Sequence, residues 1–220
     1  MVDSDDNIIE NNLIHDNVED GIYLNHGNDY NNISGNIISN NWYALRLWGS
    51  SNNIVTENVF NDTQYWAVSL SQSSDNNQLY HNSFLDNTNN GWDESINTWD
   101  NGYPSGGNYW DDYTGIDNYH GVNQDIPGSD GMGDTPYPIS GGNNQDNYPL
   151  METFTGFYYD DFEDGTLDKW NIILGDWEVL TEPSGNHIAH LNIASEEGRR
   201  MVSKETIDDN VIITAEIKDF

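Results

Sequence analysis

Short apolar segments recur at nearly constant intervals along the N-terminal part of the chain. Leu24, Leu47 and Leu70 are separated by steps of 23 residues, and each lies in a segment where apolar and polar positions alternate. Successive side chains of a strand point to opposite faces, so Ile22 and Leu24 are predicted to point inward and Tyr23 outward. The recurrence predicts stacked coils of short strands that share one continuous core, although each coil is small.

Two further apolar series have nearly the same period. One contains the segments 12–14, 36–38, 58–60 and 82–84, and the other contains 32–33, 53–54 and 77–79. Three apolar segments per period predict three strands per coil, which is a parallel β-helix of about four coils. A leucine-rich repeat has a similar period, but it needs a helical arm, and the chain shows no 3.6-residue periodicity.

Asparagine dominates the connections between the apolar segments. The chain contains 33 Asn, and Asn tolerates the left-handed backbone that sharp corners require. We therefore predict that Asn forms the corners of the coils. Gly21, Ala44 and Ala67 share one register, which predicts a close approach of the backbone at a bend.

The composition changes beyond the repeat, and three regions are predicted. Residues 1–96 form the repeats, and residues 97–152 form a loop-rich, acidic closing segment without regular periodicity. Residues 153–220 contain five of the six Lys and Arg residues and several short alternating segments, which predict β-strands. The expected fold class is therefore all-β throughout.

Several strings carry a resemblance to a known family. Asn-Asn-Ile-Ser-Gly-Asn-Ile-Ile-Ser-Asn-Asn (31–41) and Ser-Ser-Asn-Asn-Ile-Val-Thr-Glu-Asn (50–58) resemble the repeats of NosD-like proteins. The segments 107–113, 130–137 and 147–150 resemble the segment that closes such repeats. The resemblance covers about residues 6–150. It implies a right-handed parallel β-helix of the archaeal surface-protein type, an extracellular location and an association with copper.

A second resemblance begins after residue 152. The segments 161–170 and 175–179 resemble the start of concanavalin-like or laminin-G-like β-sandwiches. This implies a jelly-roll domain, of which only the N-terminal part fits before Phe220. At the other end, the first coil begins abruptly, and stacked repeats need polar caps. We therefore expect further coils upstream.

The charge restricts the partners. The formal net charge is −32, from 38 Asp and Glu against 6 Lys and Arg. Such a polyanion is repelled by nucleic acids and anionic lipids, so cations such as Ca²⁺, neutral sugars or basic surfaces are favoured. No segment approaches the ~20 apolar residues that a membrane span needs. The chain has no Cys, which excludes disulfides and thiolate metal sites.

An acidic, Gly-rich loop is the first candidate site. Its Asp residues could supply the oxygen ligands that Ca²⁺ prefers, and the site is predicted at Asp117, Asp125, Asp130 and Asp134. In the related segments an Asp-x-Asp-x-Asp-Gly pattern is typical. Here Ile126 and Gly128 replace the first two acids, so that Asp130 and Asp134 alone match. The alternative is a solvated loop whose Asp side chains form Asx turns.

An aromatic register is the second candidate site. Trp42 and Tyr65 are 23 residues apart, as are Tyr43 and Trp66, and Trp48 follows on the same strand. Rings in register stack on adjacent coils, and exposed rings suit the apolar faces of sugars. These five residues are therefore predicted to bind carbohydrate. Packing of the rings along the solenoid is the alternative, and it needs no ligand.

Histidines are the third candidate, because the resemblance implies copper. The six are His15, His26, His81, His120, His187 and His190. They form no cluster in the repeats, no Cys accompanies them, and Met residues show no pattern with them. Copper prefers soft ligands in a defined set, so ordinary surface histidines are the favoured interpretation.

The residues favour a non-catalytic extracellular or cell-surface scaffold or adhesion protein that interacts with polysaccharide. The alternative is a polysaccharide-cleaving β-helix enzyme. A lyase needs a cationic base or electrophile, and Arg46 is the one Lys or Arg in the repeats. A hydrolase needs two carboxylates at a defined separation, whereas the outward positions of the third strand hold Tyr23, Arg46 and Ser69.

Overall fold

The computed structural model describes residues 4–154 in full and, in the C-terminal part, the backbone of the strands within 170–174, 176–181, 187–193 and 200–203. The chain divides into two compact units, Met1–Phe157 and Tyr158–Phe220. No described helix is long and apolar enough to cross a membrane.

Four coils of three short strands build the first unit. The first coil contains β1 (Ile8–Glu10), β2 (Leu13–His15) and β3 (Asp20–Asn25), and the second contains β4 (Asn32–Ser34), β5 (Ile37–Ser39) and β6 (Tyr43–Trp48). The third contains β7 (Ile54–Thr56), β8 (Val59–Asn61) and β9 (Trp66–Ser71), and the fourth contains β10 (Gln78–Tyr80), β11 (Ser83–Leu85) and β12 (Gly91–Asp93). The predicted coil of three strands is confirmed.

Each strand pairs in parallel with its equivalent in the next coil, so three parallel sheets run along the solenoid. Their strand orders are β1-β4-β7-β10, β2-β5-β8-β11 and β3-β6-β9-β12. Leu24 is in register with Leu47, and Leu47 with Leu70. All three side chains are fully buried in a single column. Burying such an aliphatic side chain stabilises folding by about 1.5–3 kcal/mol, and the column repeats this contribution in the first three coils. In the fourth coil Asp93 takes the register position of Leu70.

The corners differ from the prediction. Among the residues that the structure describes, fifteen non-Gly residues have positive φ, and four of them are Asn: Asn11, Asn40, Asn52 and Asn76. Asp, His, Tyr, Glu, Gln and Ser occupy the other corners. The prediction that Asn forms the corners is thus largely wrong, because most of the register-matched Asn side chains turn inward. The close approach predicted at Gly21 is confirmed, since an added Cβ would lie 2.7 Å from the Ala44 carbonyl oxygen.

Asn side chains, most of them buried, form two ladders along the solenoid. In both, the backbone N–H and the side-chain amide of one Asn donate to the Oδ1 of its equivalent in the next coil, at 2.8–3.0 Å. One ladder runs through Asn12, Asn36, Asn58, Asn82 and Asn108, and the other through Asn7, Asn31, Asn53, Asn77 and Asn97. The ladders satisfy backbone amides that the sharp corners would leave unpaired.

A closing segment covers the C-terminal end of the coils. Its strands are β13 (Tyr109–Trp110), β14 (Tyr119–His120), β15 (Ile126–Pro127), β16 (Tyr137–Pro138) and β17 (Gln145–Asp146). β13 extends the second sheet, because Phe84 pairs with Trp110. Phe84, Trp110 and Tyr137 stack in sequence, with ring centroids 4.1 and 4.2 Å apart. These rings end the hydrophobic core. β14 and β15 form one small antiparallel pair, and β16, which contributes Tyr137 to the stack, forms another with β17.

The C-terminal unit contains two described antiparallel pairs. β18 (Trp170–Leu174) pairs with β21 (Arg200–Ser203), and β19 (Asp176–Thr181) pairs with β20 (His187–Ile193). Among the strands that the structure describes here, these pairs form separate two-stranded sheets and no jelly-roll sandwich. The rest of the predicted sandwich lies outside the described residues.

Candidate functional site

Exposed aromatic rings lie on the outer side of the third sheet. Trp42 precedes β6 and Tyr65 precedes β9, and the register of these strands brings the two residues together. Their rings stack with centroids 5.3 Å apart and planes inclined by 18°. Trp42 is 45% exposed and Tyr65 is 41% exposed, so the stacked pair presents much of its apolar surface to solvent.

Three further rings extend this pair. Tyr43 contacts Tyr65 edge-on at 5.3 Å, and Tyr65 contacts Trp66 at 6.1 Å. Trp66 in turn contacts Trp92 of β12 at 5.4 Å. We call these five residues (Trp42, Tyr43, Tyr65, Trp66 and Trp92) the aromatic face. It crosses successive coils and therefore runs along the axis of the solenoid.

The sequence prediction included four of these five rings. Trp48 lies instead at the opposite end of β6, in register with Asn25 and Ser71, and is separate from the aromatic face. Trp92 was missed. It continues the outward series Tyr23, Arg46 and Ser69 by one further step of 23 residues, and extending that series by one coil would have found it.

A recess adjoins one end of the aromatic face. Its lining is formed by Val18, Glu19, Asp20, Trp42, Tyr43 and Arg46. We call it the Asp20 recess. Its volume of about 570 Å³ lies in the range of small-molecule sites.

An ion pair forms the floor of the Asp20 recess. Arg46 Nη2 donates to Asp20 Oδ2 at 2.6 Å. The guanidinium carbon lies 4.1 Å from the ring centroid of Tyr23 and 4.9 Å from that of Tyr43. These cation–π contacts hold the guanidinium in place. The Asp20 side chain is 9% exposed and that of Arg46 24% exposed, so the pair is largely desolvated.

Two polar atoms of this ion pair make no hydrogen bond. Asp20 Oδ1 and Arg46 Nε are buried and have no hydrogen-bond partner. Burial raises the pKa of Asp20, while the charge of Arg46 and its hydrogen bond act in the opposite direction. Arg46 is the only Lys or Arg among residues 1–168. The recess therefore combines one acceptor and one donor without a strong net positive charge.

A second recess adjoins the other end of the aromatic face. Its lining includes Trp66, Asn90, Asp111, Asp112 and Tyr137. Asp112 accepts hydrogen bonds from Asn90 Nδ2 at 3.0 Å and from the Tyr137 hydroxyl at 3.1 Å. Burial raises the pKa of Tyr137 well above its ordinary value, and Asp112 adds to the rise. Tyr137 therefore remains a neutral donor, and Asp112 is held within a hydrogen-bond network.

The structure places the predicted calcium residues in one loop, where most of them hold backbone amides. Asp117 accepts from the N–H groups of Asp130 and Gly131, and Asp134 accepts from those of Asn118 and Tyr119. Asp130 accepts from Met132 N–H and from Gln124, and Asp125 is exposed. These contacts agree with the turn interpretation, and calcium at this loop stays a prediction.

The described histidines lie apart from one another. His15 contacts Asp16 at 2.6 Å, whereas His81 bonds to the Ser105 carbonyl and stacks on Phe154. Within the residues that the structure describes, no three His, Cys, Asp or Glu side chains form a group that could hold one metal ion. His187 and His190 lie in β20, where side chains are outside the description.

Comparison with known proteins gives one family match. The family model described as "Periplasmic copper-binding protein (NosD)" matches residues 1–115. No curated protein and no solved structure matches the chain. The histidines of the described region are dispersed and do not form a site for the copper that the family description names. We therefore assign copper no role in this chain. Since the matched residues span more than half of the sequence and form the parallel β-helix, the protein belongs to the NosD family.

Proposed function

We propose that this protein is a non-catalytic scaffold or adhesion protein outside the cytoplasm that binds neutral polysaccharide on its aromatic face. The family description names a periplasmic protein, which agrees with a location beyond the cytoplasmic membrane. An extracellular or cell-surface position is the more specific part of the proposal.

The exposed Trp42–Tyr65 stack is the observation that carries the proposal. Core packing explains buried rings, but these two rings are 45% and 41% exposed. Solvent-exposed apolar rings suit the apolar faces of pyranoses, and Tyr and Trp add polar groups at their edges. The adjoining rings of Trp66 and Trp92 extend the surface along the axis, as binding of an extended chain requires.

The charge supports a neutral ligand. With a formal net charge of −32, the protein repels acidic polysaccharides over distances of about one Debye length. Both recesses also contain carboxylates, at Glu19 and Asp20 and at Asp111 and Asp112. A neutral chain avoids this repulsion.

Polysaccharide cleavage is the second candidate function, because Asp111 and Asp112 line a recess beside Trp66. The outward series of the third sheet, however, contains Tyr23, Arg46, Ser69 and Trp92 and no acid. Asp112 is also engaged by Asn90 and Tyr137. These observations favour binding without cleavage.

Affinity electrophoresis in gels that contain soluble glucan, mannan or galactan tests the proposal. We expect at least one of them to retard the wild-type protein, and the double variant Trp42→Ala/Tyr65→Ala to migrate freely. Tyr119→Ala is the matched control, since Tyr119 is 42% exposed and lies in the closing segment. Absence of retardation by all three polymers overturns the proposal, and release of reducing ends establishes cleavage instead.

A further inference from the structure

We infer that the Asp20 recess is a sugar-binding subsite in which Asp20 and Arg46 hydrogen-bond two neighbouring hydroxyls of a neutral pyranose that rests on Trp42. The inference rests on the proposed function, and it assigns the selectivity for the sugar to Asp20 and Arg46.

The first argument is the unused hydrogen-bonding capacity of the ion pair. A buried charged atom without a hydrogen-bond partner destabilises the folded protein. Asp20 Oδ1 and Arg46 Nε are two such atoms in one ion pair, and both side chains line the same recess. An acceptor and a donor side by side match the hydroxyls of a vicinal diol, each of which both donates and accepts.

The second argument is preorganisation. The rings of Tyr23 and Tyr43 lie on the guanidinium of Arg46, and β3 and β6 are held in register at Asp20 and Tyr43. Little conformational entropy is therefore lost when a ligand binds. The side chain of Asp20 is 9% exposed, and it keeps one carboxylate oxygen without a hydrogen-bond partner next to the exposed ring of Trp42 in this recess.

The third argument concerns ligand charge. Asp20 neutralises Arg46 at 2.6 Å, and Glu19 adds a further carboxylate to the lining. An acidic sugar would meet uncompensated negative charge, whereas a neutral pyranose stacks on the exposed ring of Trp42 and directs hydroxyls into the recess. The subsite thereby selects neutral sugars with two adjacent free hydroxyls.

The test is calorimetric titration with neutral gluco-, manno- and galacto-oligosaccharides, with oligogalacturonate as the acidic probe. The variant is Asp20→Asn/Arg46→Met, which removes both charges together and leaves neither buried alone, while Met retains an apolar stem between the tyrosine rings. Glu10→Gln, at an exposed carboxylate, is the control. Melting temperatures confirm that each variant is folded.

The wild-type protein should bind a neutral oligosaccharide, and the double variant should lose about tenfold or more in affinity, as expected for hydrogen bonds to charged groups. An unchanged affinity in the double variant, with loss in Trp42→Ala/Tyr65→Ala, overturns the subsite and leaves the proposed function standing. Tighter binding of oligogalacturonate overturns the assignment to neutral sugars. Absence of binding to every probe overturns the proposed function together with the subsite.

Discussion

Asn108 donates its backbone N–H to Oδ2 of Asp146 at 2.7 Å, across 38 positions of the sequence. Asp146 is fully buried and also accepts from Trp110 Nε1 at 3.0 Å and from Tyr148 N–H at 3.0 Å. The Asn ladder that begins at Asn12 therefore ends on a carboxylate of the closing segment. The other ladder ends similarly, because Asn97 Nδ2 donates to the buried Asp93 at 2.9 Å.

Asp146 is expected to make stability depend on pH. Burial raises the pKa of Asp146 to about 7, and the hydrogen bonds from Asn108, Trp110 and Tyr148 limit the rise. The folded state therefore retains a proton that the unfolded state releases near its ordinary pKa of 3.8. The stabilisation is complete below pH ~4 and is lost as the pH rises to ~7, by up to about 4 kcal/mol.

Urea unfolding of the wild-type protein and of Asp146→Asn between pH 4 and 8 measures this contribution. The variant should gain stability relative to the wild type as the pH rises, because only the wild type ionises a buried group. Asp125→Asn serves as the exposed control. Parallel curves for wild type and Asp146→Asn would show that Asp146 does not contribute to the pH dependence.

Gly107→Ala should destabilise the first unit by about 3 kcal/mol or more. A Cβ at this position would overlap the carboxylate of Asp146, so the end of the ladder would have to move. Gly102→Ala is the control that measures backbone strain alone. The φ of Gly102 is +68°, and no atom lies within 4 Å of the added Cβ. That variant should cost about 1–2 kcal/mol, and equal melting temperatures for the two would contradict the overlap.

Asn58→Ala should cost about 3–5 kcal/mol, as expected when buried donors lose their acceptor. Asn58 accepts from the backbone and side chain of Asn36 and donates its side-chain amide to Asn82. The alanine variant would leave the backbone N–H of Asn36 without an acceptor and would remove the side-chain bond to Asn82, while the backbone bond from residue 58 to Asn82 remains. Asn123→Ala, at an exposed position, should change the free energy of unfolding by less than about 0.5 kcal/mol. Denaturant unfolding measures both, and a small effect at Asn58 would show that the ladder is energetically minor.

The calcium prediction has a direct thermal test. An ion present at 100 times its dissociation constant would stabilise the folded state by about 2.7 kcal/mol. Because Asp117 and Asp134 already hold backbone amides, we expect equal melting temperatures with Ca²⁺ and with EDTA. A calcium-dependent increase that disappears in Asp130→Asn would establish the site instead.

The period of the apolar residues was sufficient to predict the coils and the aromatic stack. Leu24, Leu47 and Leu70 share a column, and Trp42 stacks on Tyr65, because a constant repeat length places equivalent residues one above another. The same rule failed for the corners. An Asn in a repeat suits either a left-handed corner or an inward ladder, and local sequence does not distinguish these two uses.

The sequence by itself determined the parallel β-helix and the position of four rings of the aromatic face, since both follow directly from the spacing of the sequence repeat. Only the tertiary structure decided which Asn side chains turn inward, that Asp146 ends a ladder, and that Asp20 pairs with Arg46. The physical reason is that burial and hydrogen bonding depend on contacts between distant positions. Asp146, for example, lies outside the repeat, so the period of the repeat does not predict its contact with Asn108.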